Sequence, residues 1–219
     1  MRLVGLLAFS AVAVLAQSMG FTPPSMKPTG VTGAPYSAEE EFLHGDRTEK
    51  GRKIYRDSEG RVRTERLMCP SCKYYVVEIT DPVAGVQWVL DTQHKVAHLM
   101  TPQPPPQPAG SSVMINIAPT STPPSAGPPI TKIEQLDPAE IGGLRVVGSR
   151  SITTYTDGHK LVGESWMSPE LNVVVKNTLG DDIFRLANLK RSEPFPSLFR
   201  IPADYTVVEE KTTFVIQYQ

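Results

Sequence analysis

The sequence predicts a mainly β protein: a curved antiparallel meander forming a half-barrel or incomplete barrel, with little helix. Three observations predict it. The 219 residues include 21 prolines and 16 glycines, a density of turn formers that favours short strands over long helices. Windows of Ala, Leu, Glu and Lys at helical spacing are missing, whereas β-branched and aromatic runs recur between turn signals. Several of those runs, Tyr74 to Val77, Val86 to Leu90 and Val173 to Val175, carry apolar side chains on both parities. Strong curvature that buries both faces of the sheet is the expectation that follows.

Residues 1–16 stand apart from the fold. Arg2 precedes the apolar run Leu3 to Leu15, which ends at the small residue Ala16, the pattern of a secretory signal peptide. The run is too short for a membrane span, which needs about 20 residues. The chain is therefore expected to be exported, to the periplasm or the extracellular space, with no membrane span. Residues 17–35 are rich in Pro, Gly, Ser and Thr without periodicity, which predicts a disordered leader.

A single β domain is expected over residues 36–219. Lys53 to Asp57 and Arg61 to Arg66 flank Ser58-Glu59-Gly60, where the glycine supplies the positive φ of a tight hairpin. Tyr74 to Thr80 is a further strand, ended by Asp81-Pro82. Val86 to Leu90 and Lys95 to Met100 flank a second hairpin turn, Asp91 to His94, and direct Trp88 to the core. Residues 101–129 hold ten of the 21 prolines, so they read as a long projecting Pro-rich loop rather than a central strand or helix. Lengthening a connection from about 4 to about 28 residues costs only about 1.7 kcal/mol in closure entropy, so the loop need not divide the domain.

Ile133 to Leu144 reads as one short helical turn or connection starting at Asp137-Pro138. Four strand patterns follow, Leu144 to Tyr155, Lys160 to Met167, Leu171 to Asn177 and Ile183 to Leu189, punctuated by Asp157-Gly158, Ser168-Pro169 and Gly180-Asp181. Tyr205 to Glu209 and Thr213 to Tyr218 add one or two more. Roughly ten to twelve strands joined by adjacent turns predict an up-and-down antiparallel sheet.

Several phrases carry a resemblance: Asp81 to Asp91 (DPVAGVQWVLD), Glu164 to Leu171 (ESWMSPEL) and Arg185 to Val207, with its Pro-Ala-Asp-Tyr at 202–205. They resemble a family of uncharacterised secreted bacterial β-proteins. More distantly, a meander ending in Leu198, Phe199, Pro202, Asp204 and Tyr205 is similar to the half-barrels of the outer-membrane lipoprotein carrier group. That resemblance implies a concave sheet that cradles acyl chains.

The formal net charge of −1 gives no electrostatic reason to bind nucleic acid. The basic cluster Arg52, Lys53, Arg56, Arg61, Arg63 and Arg66 is interleaved with Asp57, Glu59 and Glu65, and reads as a neutralised outer face. Glu39 to Glu41 read as a solvated strand entry. Cys69-Pro-Ser-Cys72 has the C-x-x-C spacing of thiol oxidoreductases, but a β run follows it, so no helix N-terminus activates a thiolate. A local disulfide between Cys69 and Cys72 is the expected reading in an oxidising compartment, with inert thiols and redox catalysis as alternatives. His94 and His98 are four apart, a spacing that converges on a metal in a helix but not along a strand. Gly148-Ser149-Arg150-Ser151 lies inside a β run rather than at a nucleophile elbow. No catalytic residue, metal site or cofactor is expected.

Tyr55, Tyr75, Trp88, Trp166, Phe184 and Phe199 are the candidates to line an apolar pocket. Core packing accounts for the same six residues. Two functions therefore stay open: a non-enzymatic carrier or sensor of an apolar ligand such as a lipid, and a cell-envelope structural or interaction protein that meets a protein partner through the Pro-rich loop or a sheet edge. A thiol oxidoreductase at Cys69 and Cys72 is a third.

Overall fold

The computed structural model describes residues 17–68, 73–103 and 129–218. The expected signal peptide, the Cys69 and Cys72 pair and residues 104–128 of the Pro-rich loop lie outside the described residues. A first meander comprises β2 (Tyr36–His44), β3 (Arg47–Arg56), β4 (Val62–Leu67), β5 (Tyr75–Asp81), β6 (Val86–Asp91) and β7 (Val96–Met100). A second comprises β8 (Ile130–Ile141), β9 (Leu144–Thr154), β10 (Lys160–Ser168), β11 (Val173–Leu179) and β12 (Asp182–Lys190). They join where β12 runs antiparallel to β2, Phe184 opposite Phe42. With β13 (Thr206–Glu210) beside β7, the order is β13-β7-β6-β5-β4-β3-β2-β12-β11-β10-β9-β8, an open twelve-stranded sheet that does not close into a barrel. A separate two-stranded ribbon pairs β1 (Gln17–Phe21) with β14 (Phe214–Tyr218).

The expected hairpins form at the expected turns. Asp57 Oδ1 accepts the N–H groups of Glu59 (3.1 Å) and Arg61 (2.8 Å), and Gly60 adopts φ +78°, so the tight turn is held by a side-chain mimic of the backbone and a residue without a Cβ.

Strands β5 to β7 of the first meander are covered on both faces. Val76, Val89 and Met100 pack with Phe21, Ile216 and Tyr218 of the ribbon. The opposite parity, Val77, Ile79, Leu90 and Ala97, packs with Phe199, Leu198, Ile201 and Tyr205, the stretch around the 3-10 turn Pro196–Phe199. Apolar residues on both parities of β5 and β6 thus find two covering layers, where the sequence alone suggested curvature as the means of burial. Curling does occur elsewhere: Leu144 and Val146 of β9 share a core with Tyr36 and Ala38 of β2 and Ile54 of β3, several strands away in the sheet.

Four expectations are corrected. Residues 17–35 are not a disordered leader throughout, because β1 is paired and Phe21 is buried; the Ala34 N–H also donates to the Glu170 carbonyl (3.0 Å). Ile133 to Leu144 is not a helical turn: it belongs to β8 and the β8–β9 turn, with a register shift between Leu136 and Ala139 that absorbs Pro138. The proline is tolerated because β8 lies at the sheet edge. The sheet is not wholly antiparallel, since β13 runs parallel to β7, Val208 opposite His98. The strand total, fourteen among the described residues, exceeds the ten to twelve expected, because the leader (β1), residues 36–44 (β2) and the segment read as a helical turn (β8) all form strands.

Candidate functional site

The six candidate pocket residues do not gather around one cavity. Tyr55, Trp88 and Phe199 meet in the core beneath the 3-10 turn. Trp166 belongs to a different core, that of Leu144 and Val146, where its ring lies over Gly148; a Cβ at 148 would come within 2.6 Å of the indole. Its indole N–H donates to Glu164 Oε2 (3.3 Å). Tyr75, at 36% exposure, stands near the surface. Phe184 packs against Phe42 across the β12–β2 junction, ring centroids 5.4 Å apart.

The basic cluster is neutralised by its own carboxylates, with one exception. Arg52 makes a two-pronged pair with Glu40 (2.9 and 2.7 Å), Arg61 pairs with Asp57 and Glu59 (2.6 Å each), and Arg63 pairs with Glu65 (2.8 Å). Glu40 is therefore buried and ion-paired rather than solvated. Arg56 is the exception, 1% exposed, donating to the carbonyls of Ala34 (2.6 Å) and Leu171 (2.5 Å) and lying over the Tyr36 ring. Burial pushes its guanidinium pKa down; the carbonyls accept from its two terminal nitrogens without a countercharge, whereas its buried Nε has no hydrogen-bond partner among the described residues.

A cavity of about 450 Å³ opens between β7 and β14, lined by Asp91, His94, Val96, His98, Val215, Ile216 and Gln217. Each histidine has its Nδ1 beside a carboxylate, His94 with Asp91 (2.7 Å) and His98 with Glu210 (2.8 Å), and the His98 ring stacks on Phe214 (4.5 Å). Among the described residues no group of three or more His, Cys, Asp and Glu side chains is placed to hold a metal ion. The two histidines order the β6–β7 turn and the β7–β13 pairing instead.

The second meander carries an exposed face set by its strand register. Along β9 the even positions Leu144, Val146 and Gly148 are buried, and the odd positions face the other way. Ladder register then sets rows on that other face. Val147, Met167 and Val174 form one, each 38% exposed. Ser149, Ser165, Asn177, Phe184 and Phe42 form the next. Ile133, Ser151, Gly163, Leu179, Asp182 and His44 form the third, with Ile133 68% and Leu179 52% exposed. Small side chains at 149, 151, 163 and 165 leave a trough of about 230 Å³ between Ile133 and Leu179, and a smaller hollow of about 120 Å³ borders Phe42 and Phe184. Sequence reasoning missed this surface, although the Ser149 and Ser151 alternation and Gly163 were its signal.

Among the described residues no helix is long and apolar enough to cross a membrane. No family model matches the sequence, and no curated protein matches it. Among solved structures, MucB aligns with 80% of this chain at 14% identity: in complex with MucA(peri) over 57% of its own chain at a TM-score of 0.41, and alone over 60% at 0.40. The MucA/MucB complex of Pseudomonas aeruginosa aligns at the same identity, over 58% of that chain and a TM-score of 0.41. A structure of PNGF-II aligns with 81% of this chain and 32% of its own at 9% identity and a TM-score of 0.38. The chain thus spans less than two thirds of each of these four structures' chains.

Proposed function

We propose that the chain is an exported, non-enzymatic β-protein of the cell envelope that holds a protein partner on the exposed face of its second meander. The observation that carries this reading is the trough: exposed Ile133 and Leu179 flank a floor of Ser149, Ser151, Gly163 and Ser165 with Glu164, Asn177 and Thr178 also lining it, and the exposed row Val147, Met167 and Val174 lies beyond the Ser149–Ser165 row. Exposed apolar side chains bordering a trough favour association, and a floor without bulky side chains lets an extended backbone approach. Export rests on the Arg2 to Ala16 pattern. The aromatics that a lipid carrier would array around its cargo are divided among separate cores and the surface, which favours the interaction reading over the carrier reading.

The test is site-specific photo-crosslinking from Ser165 in the intact envelope, paired with native mass spectrometry of the mature protein after incubation with envelope lipid. A discrete protein adduct from position 165, lost in a Ser149→Trp variant of unchanged circular dichroism, together with a clean apo mass, is the expected result. A stoichiometric lipid adduct removed by delipidation, with no protein adduct, would turn the assignment back to a carrier.

A further inference from the structure

We infer that β8 is a dimerisation edge at which a second copy of this chain adds antiparallel, about a two-fold axis through Ile133. The sheet ends differently at its two edges. β13 is five residues long and ends in Glu209 and Glu210, a short charged edge of the kind that discourages pairing. β8 is twelve residues long, and its outer side has no strand partner among the described residues.

The sequence of that edge is complementary to itself in one register. In an antiparallel pair about a two-fold perpendicular to the sheet, opposed residues have the same parity, so an axis must pass through a residue rather than between two. With the axis at Ile133, the 68% exposed isoleucines of the two copies meet. Lys132 of each copy then stands opposite Glu134 of the other, and Ile130, 75% exposed, opposite Leu136. Moving the axis to 132 places Lys against Lys, and moving it to 134 places Glu against Glu. Moving it to 135 sets Lys132 against Pro138, which has no N–H to donate. The favoured register pairs Ile130 to Leu136 and stops at Pro129 and at the Leu136/Ala139 irregularity, where regular pairing ends in any case. In the single chain Lys132 and Glu134 satisfy each other on the same face at 2.8 Å; in the dimer they exchange to the opposing copy.

Ile133 also walls the trough, so pairing at this edge brings the two troughs side by side across the axis. The inference goes beyond the proposed function and is tested without any partner. Sedimentation of the full mature chain across a concentration series should show a monomer–dimer equilibrium. Lys132→Glu alone and Glu134→Lys alone each set like charges opposite at two places, and should raise the dimer dissociation constant by roughly tenfold or more. The double variant Lys132→Glu/Glu134→Lys restores opposite charges and should return the constant to within about threefold of the parent. A parent that stays monomeric at every concentration, or single variants that dimerise as the parent does, or a double variant that fails to recover, overturns the inference. The oligomeric state is independent of the crosslinking result, so the two readings fail separately.

Discussion

Arg56 shows how a single residue can be misread by its company. In sequence it is one of six basic residues around a hairpin, and five of those keep to the exposed or half-buried surface. Its own partners are carbonyls at 32, 34 and 171, the last 115 positions away, so nothing near it in the chain announces its burial. Arg56→Met should destabilise the protein by about 3 kcal/mol in urea titration, because two well-made charge-assisted hydrogen bonds vanish and their carbonyls stay buried. Arg47→Met, at a surface pair with Glu49 (3.2 Å, arginine side chain 80% exposed), should change stability by less than about 0.5 kcal/mol. Equal losses would contradict the assignment of Arg56 as a buried stitch between the leader and the β10–β11 turn. A second residue sets a pH signature. Hydrogen bonds from Arg150 (2.9 and 2.7 Å), with a further one from Trp166, hold the Glu164 carboxyl below the usual carboxylate range. A depressed folded-state value contributes stability above the unfolded pKa of about 4.3, and that contribution fades as pH falls through the lower folded value. The stability difference between the parent and Glu164→Gln should accordingly be present at neutral pH and shrink below about pH 4.

At the level of elements, the ribbon β1–β14 depends on what it covers, since a two-stranded ribbon has little stability alone. Ile216 faces Val76, Val89 and Met100, while its neighbour Val215 is 56% exposed. Ile216→Ala should cost about 3 kcal/mol by chemical denaturation, against less than about 0.5 kcal/mol for Val215→Ala. Similar losses at both would mean that the ribbon does not dock by that face. The hairpins and the β9 to β12 meander were legible in the sequence because each is local: alternation, a glycine or an aspartate turn, and a neighbour in sequence to pair with. The ribbon was not, because β1 finds its partner nearly 200 residues later and its Pro- and Gly-flanked sequence has no period. β8 was hidden by Asp137-Pro138, which marks a helix start in one context and an edge-strand irregularity in another. The aromatic candidates were correctly seen as large side chains in need of burial, but single positions do not reveal which core each will enter. The trough was harder to read, since serines and a glycine form a floor only when ladder register aligns them.

At the scale of the whole molecule, one continuous sheet has two unequally protected halves. β5 and β6 lie between two layers, with Val76, Val77, Ile79, Val89 and Leu90 all at 2% exposure or less. The distal parts of β9 and β10, from Ser151 to Gly163, are half-buried or exposed except at Gly163 itself, and the turn between them, Tyr155 to His159, is exposed. Opening that end uncovers little apolar surface, whereas opening β5 or β6 strips both layers at once, so the free energies of the two events should differ although the ladder is unbroken between them. Native-state hydrogen exchange reads this difference directly. Amides of β5 and β6 should exchange only through opening close to global unfolding, and those of Ser151 to Gly163 through local opening, with protection at least roughly tenfold lower. Uniform protection across both halves would mean that the sheet unfolds as one unit, and that an exposed face does not loosen the strands beneath it. Graded protection would place the trough on the half of the sheet able to adjust its strands to a bound partner without disturbing the double-layered core.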